Sequence, residues 1–200
     1  MSELFDRLQR LFHEGHGVEV PDLRDDARFA PPEVRPAAVL IAVTDRAEPG
    51  VLLTHRPETM RAHPGQVAFP GGKIDPGEDA VEAALREAQE ELGIDPGHVR
   101  VIGASDRFVT GSGYDVTPVL ALIPPDLPIV PAPHEVSAWF EAPLRYILDS
   151  ANHVQKIGVF RGYERPYLEI EWQGHRIWGV TAAIIHNLSR RLAWQEVVNG

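Results

Sequence analysis

The chain contains no cysteine, which excludes disulfides and thiolate metal sites and fits a reducing compartment. It has no apolar run near the ~20 residues that a bilayer-spanning helix requires. Its opening, MSELFDRLQRLFHEG, lacks the uninterrupted apolar region of a secretory signal. Positive charge is scarce: 19 Lys and Arg against 29 Asp and Glu leave a net charge of −10. That balance argues against nucleic acid or an anionic membrane as partner. Internal repeats and low-complexity segments are also missing. What is present is 200 residues with 44% hydrophobic content, enough for one domain with a full core. The expectation is a single domain over residues 1–200 of a cytoplasmic protein, monomeric or homodimeric. Residues 1–36 form a helix and an irregular lead-in, and 37–198 form the core.

Hydrophobic periodicity divides the chain into short elements. Leu4, Phe5, Leu8, Leu11 and Phe12 recur at helical spacing, with Ser2 as N-cap and Gly15 as the stop. Residues 18–36 hold Pro31, Pro32 and Pro36 and read as an irregular connection. AAVLIAVT (37–44) is a continuous apolar run, the pattern of a strand buried on both faces. Val51–Thr54 is a second strand that pairs with it as a hairpin. Val67–Phe69 is a brief strand leading to Gly71-Gly72. A helix follows from Asp79 to Leu92, opened by an Asp79/Glu82 capping box and closed at Gly93. Strands around a polar turn (110–115) occupy 98–123, and the proline-rich 123–133 is irregular. Glu135, Val136, Trp139 and Phe140 suit a strand or edge, and Pro143 opens a short helix. Strands return over 154–180 with a hairpin turn at Gln173-Gly174, and a helix from Thr181 to Val198 closes the chain. This order of strands with inserted helices gives an α+β or α/β class with a mixed sheet.

The stretch FPGGKIDPGEDAVEAALREAQEELGI (69–94) holds the densest chemistry. Val81, Ala84, Leu85, Ala88 and Leu92 form an apolar stripe, and Glu87, Glu90 and Glu91 fall off it onto the opposite side. Like charges at i, i+3 and i+4 repel by roughly 0.2–0.5 kcal/mol per pair, so a counter-ion is their natural partner. Carboxylate oxygens so clustered suit a hard divalent cation, Mg2+ or Mn2+; a solvated acidic face is the alternative. Arg86, one turn before Glu90, is placed to hold a carboxylate. Gly71 and Gly72 permit close backbone approach, so a carbonyl or amide there can reach metal or phosphate.

Gly72, Glu78, Arg86, Glu87, Glu90, Glu91, Gly93 and Ile94 stand at the spacing G-x5-E-x7-R-E-U-x-E-E-x-G-U, and the segment resembles the Nudix box. The one departure is Ala88 at the first bulky aliphatic position. The resemblance implies a Nudix hydrolase, an α/β/α sandwich with a mixed sheet, which cleaves a nucleoside diphosphate linked to another moiety with a divalent metal. It implies metal ligation by Glu87, Glu90, Glu91 and the Gly71 carbonyl, with Arg86 and Glu78 as supports. The general base varies across such enzymes, between a box glutamate such as Glu90 and a carboxylate of a later loop.

A narrower resemblance lies upstream. Leu52-Leu53-Thr54-x-Arg56, Arg61, Gly65 and Phe69-Pro70-Gly71-Gly72 are similar to the extra signature of the coenzyme A pyrophosphatase branch, with Pro57 where that pattern has Ser or Ala. His63 and Gln66 also look typical of the branch, as do Glu135-Val136 and Pro143-Leu144 downstream. This resemblance implies coenzyme A, or a derivative, as the small-molecule substrate. Arg56, Arg61, His63 and Gln66 would then be substrate contacts, and Glu135 a loop base or additional ligand. Arginine suits phosphate through its planar fork. Tyr114, Trp139 and Trp178 either stack on adenine or serve as core aromatics. The alternatives are a Nudix hydrolase for ADP-ribose, NADH or an oxidised nucleoside triphosphate, and a non-catalytic ligand sensor of the same fold.

Overall fold

The computed structural model describes residues 2–59, 65–160 and 162–194. The elements in chain order are α1 (Glu3–His16), β1 (Arg35–Thr44), β2 (Gly50–His55), β3 (Val67–Ala68), β4 (Gly71–Lys73), α2 (Ala80–Leu92), β5 (Arg100–Ala104), β6 (Phe108–Val109), β7 (Tyr114–Ile123), β8 (Ala138–Pro143), α3 (Leu144–Leu148), β9 (Val154–Phe160), β10 (Tyr163–Trp172), β11 (His175–Trp178) and α4 (Val180–Arg191). The large sheet is mixed. Its path runs β3-β2-β1-β7-β5, with β4 on β1, β6 on β7 and β8 on β2. Its centre is a ten-position parallel pairing of β1 with β7, from Arg35↔Tyr114 to Thr44↔Ile123. A second, antiparallel sheet has the order β11-β10-β9.

The two-residue alternation of β1 explains the layers. Ala38, Leu40 and Ala42 pack with Leu52, Val119, Ala121 and Ile123 against α2 on one face. Ile41 and Val43 pack with Val51, Leu53, Leu120 and Leu122 on the other, against α1, α3, α4 and the small sheet. Both faces are covered, as the unbroken apolar run of β1 requires. On the α2 side the contact residues are small. Ala83, Ala84 and Ala88 are fully buried, so the helix lies close to the sheet. That closeness accounts for alanine at position 88, where a bulkier side chain would have to displace the strand beneath it.

Helix α2 begins at the expected capping box. Asp79 accepts from the Glu82 N–H at 2.9 Å, and Glu82 accepts from the Asp79 N–H at 2.9 Å. It ends at Gly93, whose φ of +70° is the left-handed conformation glycine adopts freely. The Gln173-Gly174 turn has positive φ at both residues, +47° and +83°, the geometry that matches the twist of a two-residue hairpin.

Several boundaries differ from expectation. Helix α1 continues through Gly15 to His16. Gly15 is needed instead for close packing, because a Cβ there would overlap the Arg191 carbonyl oxygen of α4. The strand predicted from Ala37 begins at Arg35, where the Arg35 N–H reaches the Gly113 carbonyl at 2.9 Å. The lead-in contains a 3-10 turn over Ala27–Phe29. The closing helix stops at Arg191, two residues before Ala193 with its φ of +45°; the end of the expected helix, 195–198, lies outside the described residues. No helix among the described residues is long and apolar enough to cross a membrane.

Candidate active site

Three chain segments converge at the α2 face of the large sheet. The first is β4, paired antiparallel to β1 in the register Ala38↔Gly72 and Val39↔Gly71. Its glycines are required by contact: a Cβ at Gly71 would overlap the Ala38 carbonyl, and one at Gly72 would overlap the Glu87 carboxylate. The second is α2, which carries the glutamates. The third is the proline-rich segment after β7. The Val130 N–H donates to the Leu92 carbonyl and the Ala132 N–H to the Glu91 carbonyl, both at 2.8 Å. These bonds use acceptors left open at the end of α2. The chain then turns through the Glu135 and Val136 N–H bonds to the Ala132 carbonyl, and Val136 anchors in the core. Glu135 is thereby placed over the helix.

The result is a cluster of Glu87, Glu91 and Glu135, in which one oxygen from each lies within 4.8 Å of the others. Glu91 does not share an open face with its neighbours. It is only 6% exposed, on the flank of α2 between the core and the site, and its Oε2 accepts from the Gly71 N–H at 3.2 Å. Gly71, expected to offer its carbonyl, meets the cluster through its N–H. Burial, with Glu87 and Glu135 alongside, pushes the Glu91 carboxyl up to about 8, against the pull of the Gly71 N–H and the Arg56 charge. Burial likewise raises Glu87, opposed by its bond to Arg86. Two carboxyl groups held above their usual range beside a third, in an all-oxygen donor set, fit a hard divalent cation. Such an ion would offset the burial and the repulsion that favour the protonated forms.

Arg86 ties the segment together. Its guanidinium donates to both Glu78 oxygens at 2.7 and 3.1 Å, to Glu87 at 2.8 Å, to Glu90 at 3.3 Å and to the Lys73 carbonyl at 3.0 Å. The bonds to Glu78 and Glu87 stabilise its charge and hold Glu78 below the usual carboxylate range. Glu90 stands apart from the three-carboxylate cluster. Its side chain is 53% exposed and its carboxylate turns to Arg86, while still lying near enough to Glu87 to raise it.

Arg56 follows the end of β2. Its charge acts on Glu91, and its Nε is buried without a hydrogen-bond partner. The loop is closed by the Arg56 N–H to the Gln66 carbonyl at 3.0 Å and the Gly65 N–H to the Arg56 carbonyl at 3.1 Å, so Gln66 sits beside Arg56. Arg61 and His63, expected as substrate contacts, lie outside the described residues. An open cleft of ≈ 430 Å³ adjoins this loop, lined by His55, Glu58, Gln66, Arg176 and Trp178 among others. Arg176 was not singled out from the sequence. It stands in a strand, and nothing in the local pattern marks it.

Residues 34–160 match the NUDIX domain family. A protein of Escherichia fergusonii called uncharacterized Nudix hydrolase NudL is 44% identical over 160 residues, spanning 79% of this chain and 83% of that protein. Its namesake in Escherichia coli K12 is 43% identical over the same shares. Among solved structures, the Nudix hydrolase RenU of M. smegmatis superposes with a TM-score of 0.52 at 21% identity, covering 84% of this chain and 85% of that one, which is a likeness of fold.

Proposed function

Because the chain belongs to the Nudix hydrolases, we propose that it cleaves the diphosphate bond of coenzyme A or a derivative. The products would be adenosine 3′,5′-bisphosphate and 4′-phosphopantetheine or its acyl form. The observation that carries the choice of substrate is the stretch from Leu52 to Gly72. Its signature residues end in Phe69-Pro70-Gly71-Gly72, of which Gly71 donates to Glu91 and Gly72 lies against the Glu87 carboxylate, and its Arg56 charge acts on Glu91.

Glu87, Glu91 and Glu135 are the residues that would hold Mg2+ or Mn2+. Bound there, the ion supplies neutralisation of the diphosphate oxygens and acidification of a water molecule. The protein's own groups do the rest. Arg86 fixes the direction of the Glu87 carboxylate by a 2.8 Å bond, so that one ligand is set before substrate arrives. Arg56, with an unsatisfied buried donor, pairs with a phosphate oxygen and offsets part of the −10 charge that opposes an anionic substrate. Glu90, outside the three-carboxylate cluster, accepts the proton of the attacking water. Gln66, Arg61 and His63 complete the substrate contacts in this reading. Positioning and electrostatics of this kind carry most of the barrier lowering at phosphorus.

The test is a parallel assay of coenzyme A, ADP-ribose, NADH and an oxidised nucleoside triphosphate with Mg2+ and with Mn2+. Coenzyme A is expected to give a kcat/KM at least tenfold above the others. Faster turnover of any other compound overturns the assignment.

A further inference from the structure

The cleft beside the loop 56–66 has features that the carboxylate chemistry leaves unused. One wall is His55, whose Nε2 lies 2.9 Å from His175 Nδ1. The His175 ring in turn stacks on Phe140, with centroids 3.7 Å apart and planes 4° from parallel. β11, the strand that carries His175, also lines the cleft. There Arg176 donates through Nε to Glu169 at 2.5 Å and through Nη2 to the Tyr167 hydroxyl at 3.0 Å. Glu169 is buried and is also paired with Lys156. The Arg176 guanidinium is therefore held in one orientation by a buried carboxylate and a phenol, yet its side chain is still 49% exposed. These two bonds engage two of the five N–H donors a guanidinium carries. The guanidinium lies over one face of the Trp178 ring, 4.6 Å from its centroid, and the Tyr167 and Trp178 rings meet edge-on with centroids 5.7 Å apart. Glu58 and Gln66 add polar groups at the rim.

This cleft and the carboxylate cluster both adjoin the end of β2. His55 lines the cleft, and the next residue, Arg56, acts on Glu91. Ser137, two residues after Glu135, bonds the His55 carbonyl through its N–H at 2.9 Å and its hydroxyl at 3.1 Å. A ligand with a diphosphate at the carboxylates and a nucleoside in the cleft therefore crosses one residue pair, His55 and Arg56. Arg56 at that crossing and Arg176 in the cleft offer two anion positions. A volume of ≈ 430 Å³ falls in the range of small-molecule sites.

We propose that this cleft is the subsite for a ribose-phosphorylated nucleoside, with Trp178 stacking on the base through the face that Arg176 does not cover and Arg176 pairing with the phosphate on the ribose. The proposal rests on the coenzyme A reading and deepens it, because it names what distinguishes coenzyme A from its dephosphorylated form. A preorganised arginine loses little freedom on binding phosphate, and a base gains from an aromatic face whatever its hydrogen-bonding edge.

The experiment compares kcat/KM for coenzyme A and dephospho-coenzyme A in the wild type and in Arg176→Gln. The wild type is expected to favour coenzyme A at least tenfold, as charge-assisted phosphate bonds do. Arg176→Gln is expected to bring that ratio close to one through KM, with the dependence on Mg2+ retained. Trp178→Ala is expected to raise KM for both compounds, and Trp178→Phe to restore most of the loss. An unchanged ratio in Arg176→Gln overturns the proposal. If that variant does not fold because Glu169 has lost a partner, Glu169→Gln/Arg176→Gln gives the same reading. If the wild type hydrolyses neither compound, the coenzyme A reading fails and the subsite is judged by calorimetry. Adenosine 3′,5′-bisphosphate binding at least tenfold more tightly than adenosine 5′-monophosphate, with the difference lost in Arg176→Gln, supports it. Equal binding overturns it.

Discussion

Replacing Glu91 by glutamine should make the metal-free protein more stable and the enzyme inactive. The magnitude follows from where the carboxyl sits. Its pKa moves from 4.5 to about 8, chiefly through burial. The unfolded chain gives up this proton near pH 4.5, while the folded chain keeps it until about pH 8. Between those values the unfolded state binds fewer protons than the native state, so Glu91 lowers stability as pH rises, by about 1.4 kcal/mol per pH unit. Below pH 4.5 the penalty is absent, and above about pH 8 it is complete. From pH 5.5 to pH 8 the accumulated cost is on the order of 3 kcal/mol. Glutamine cannot ionise, keeps the shape, and retains an oxygen for the Gly71 N–H that Glu91 now accepts at 3.2 Å. Urea denaturation in the presence of a chelator, at pH 5.5 and pH 8, reads the difference directly, since most other titrations are common to both proteins. Glu91→Gln should gain about 3 kcal/mol on the wild type between the two pH values, and added Mg2+ should stabilise the wild type far more than the variant. A variant that is less stable than the wild type at pH 8 without metal would refute the reasoning.

Other consequences follow from the same cluster and its supports. Because Glu91 carries its proton at pH 7, Mg2+ or Mn2+ binding should release close to one proton per protein, read by calorimetry in buffers of different ionisation enthalpy, and affinity should rise from pH 6 to pH 8.5. Gly72→Ala should reduce turnover by tenfold or more while leaving the circular dichroism spectrum intact, since the new methyl group would displace the Glu87 carboxylate. Arg86→Ala should lower kcat by about a hundredfold and stability by about 1–3 kcal/mol in thermal or urea melts, because it frees Glu87 and strips Glu78 of its partner. Gly15→Ala should cost at least about 2 kcal/mol of stability through its overlap with the Arg191 carbonyl, with kcat unchanged, which separates N-terminal docking from catalysis.

The parts of this account that could be read from the sequence depend on fixed local spacing. The run from Gly72 to Ile94 dictates a capped helix with its glutamates one turn apart, and the helix forms with those caps. The Gln173-Gly174 turn and the doubly buried β1 are legible for the same reason: a two-residue turn and a continuous apolar run each have few conformational solutions. Features set by distant partners were not legible. Nothing near 37–44 or 114–123 announces that these segments pair in parallel, since the choice depends on the whole sheet. Glu135, named only through the family resemblance, reaches the cluster because two N–H groups of a proline-rich loop find the open carbonyls of Glu91 and Leu92, a long-range match that local spacing does not show. Gly15 reads as a stop signal when only its own helix is considered, and its neighbour Arg191 lies 176 positions away. The burial of Glu91 was missed because a charged residue beside an apolar stripe reads as solvent-facing. Its neighbours at the site decide otherwise.

The most direct test of the central claim is identification of products from coenzyme A and Mg2+ by mass spectrometry, with Glu87→Gln run alongside. The account predicts adenosine 3′,5′-bisphosphate and 4′-phosphopantetheine from the wild type and at most a trace of either from the variant. Absence of these products from the wild type, or their formation at comparable rates by Glu87→Gln, would contradict it.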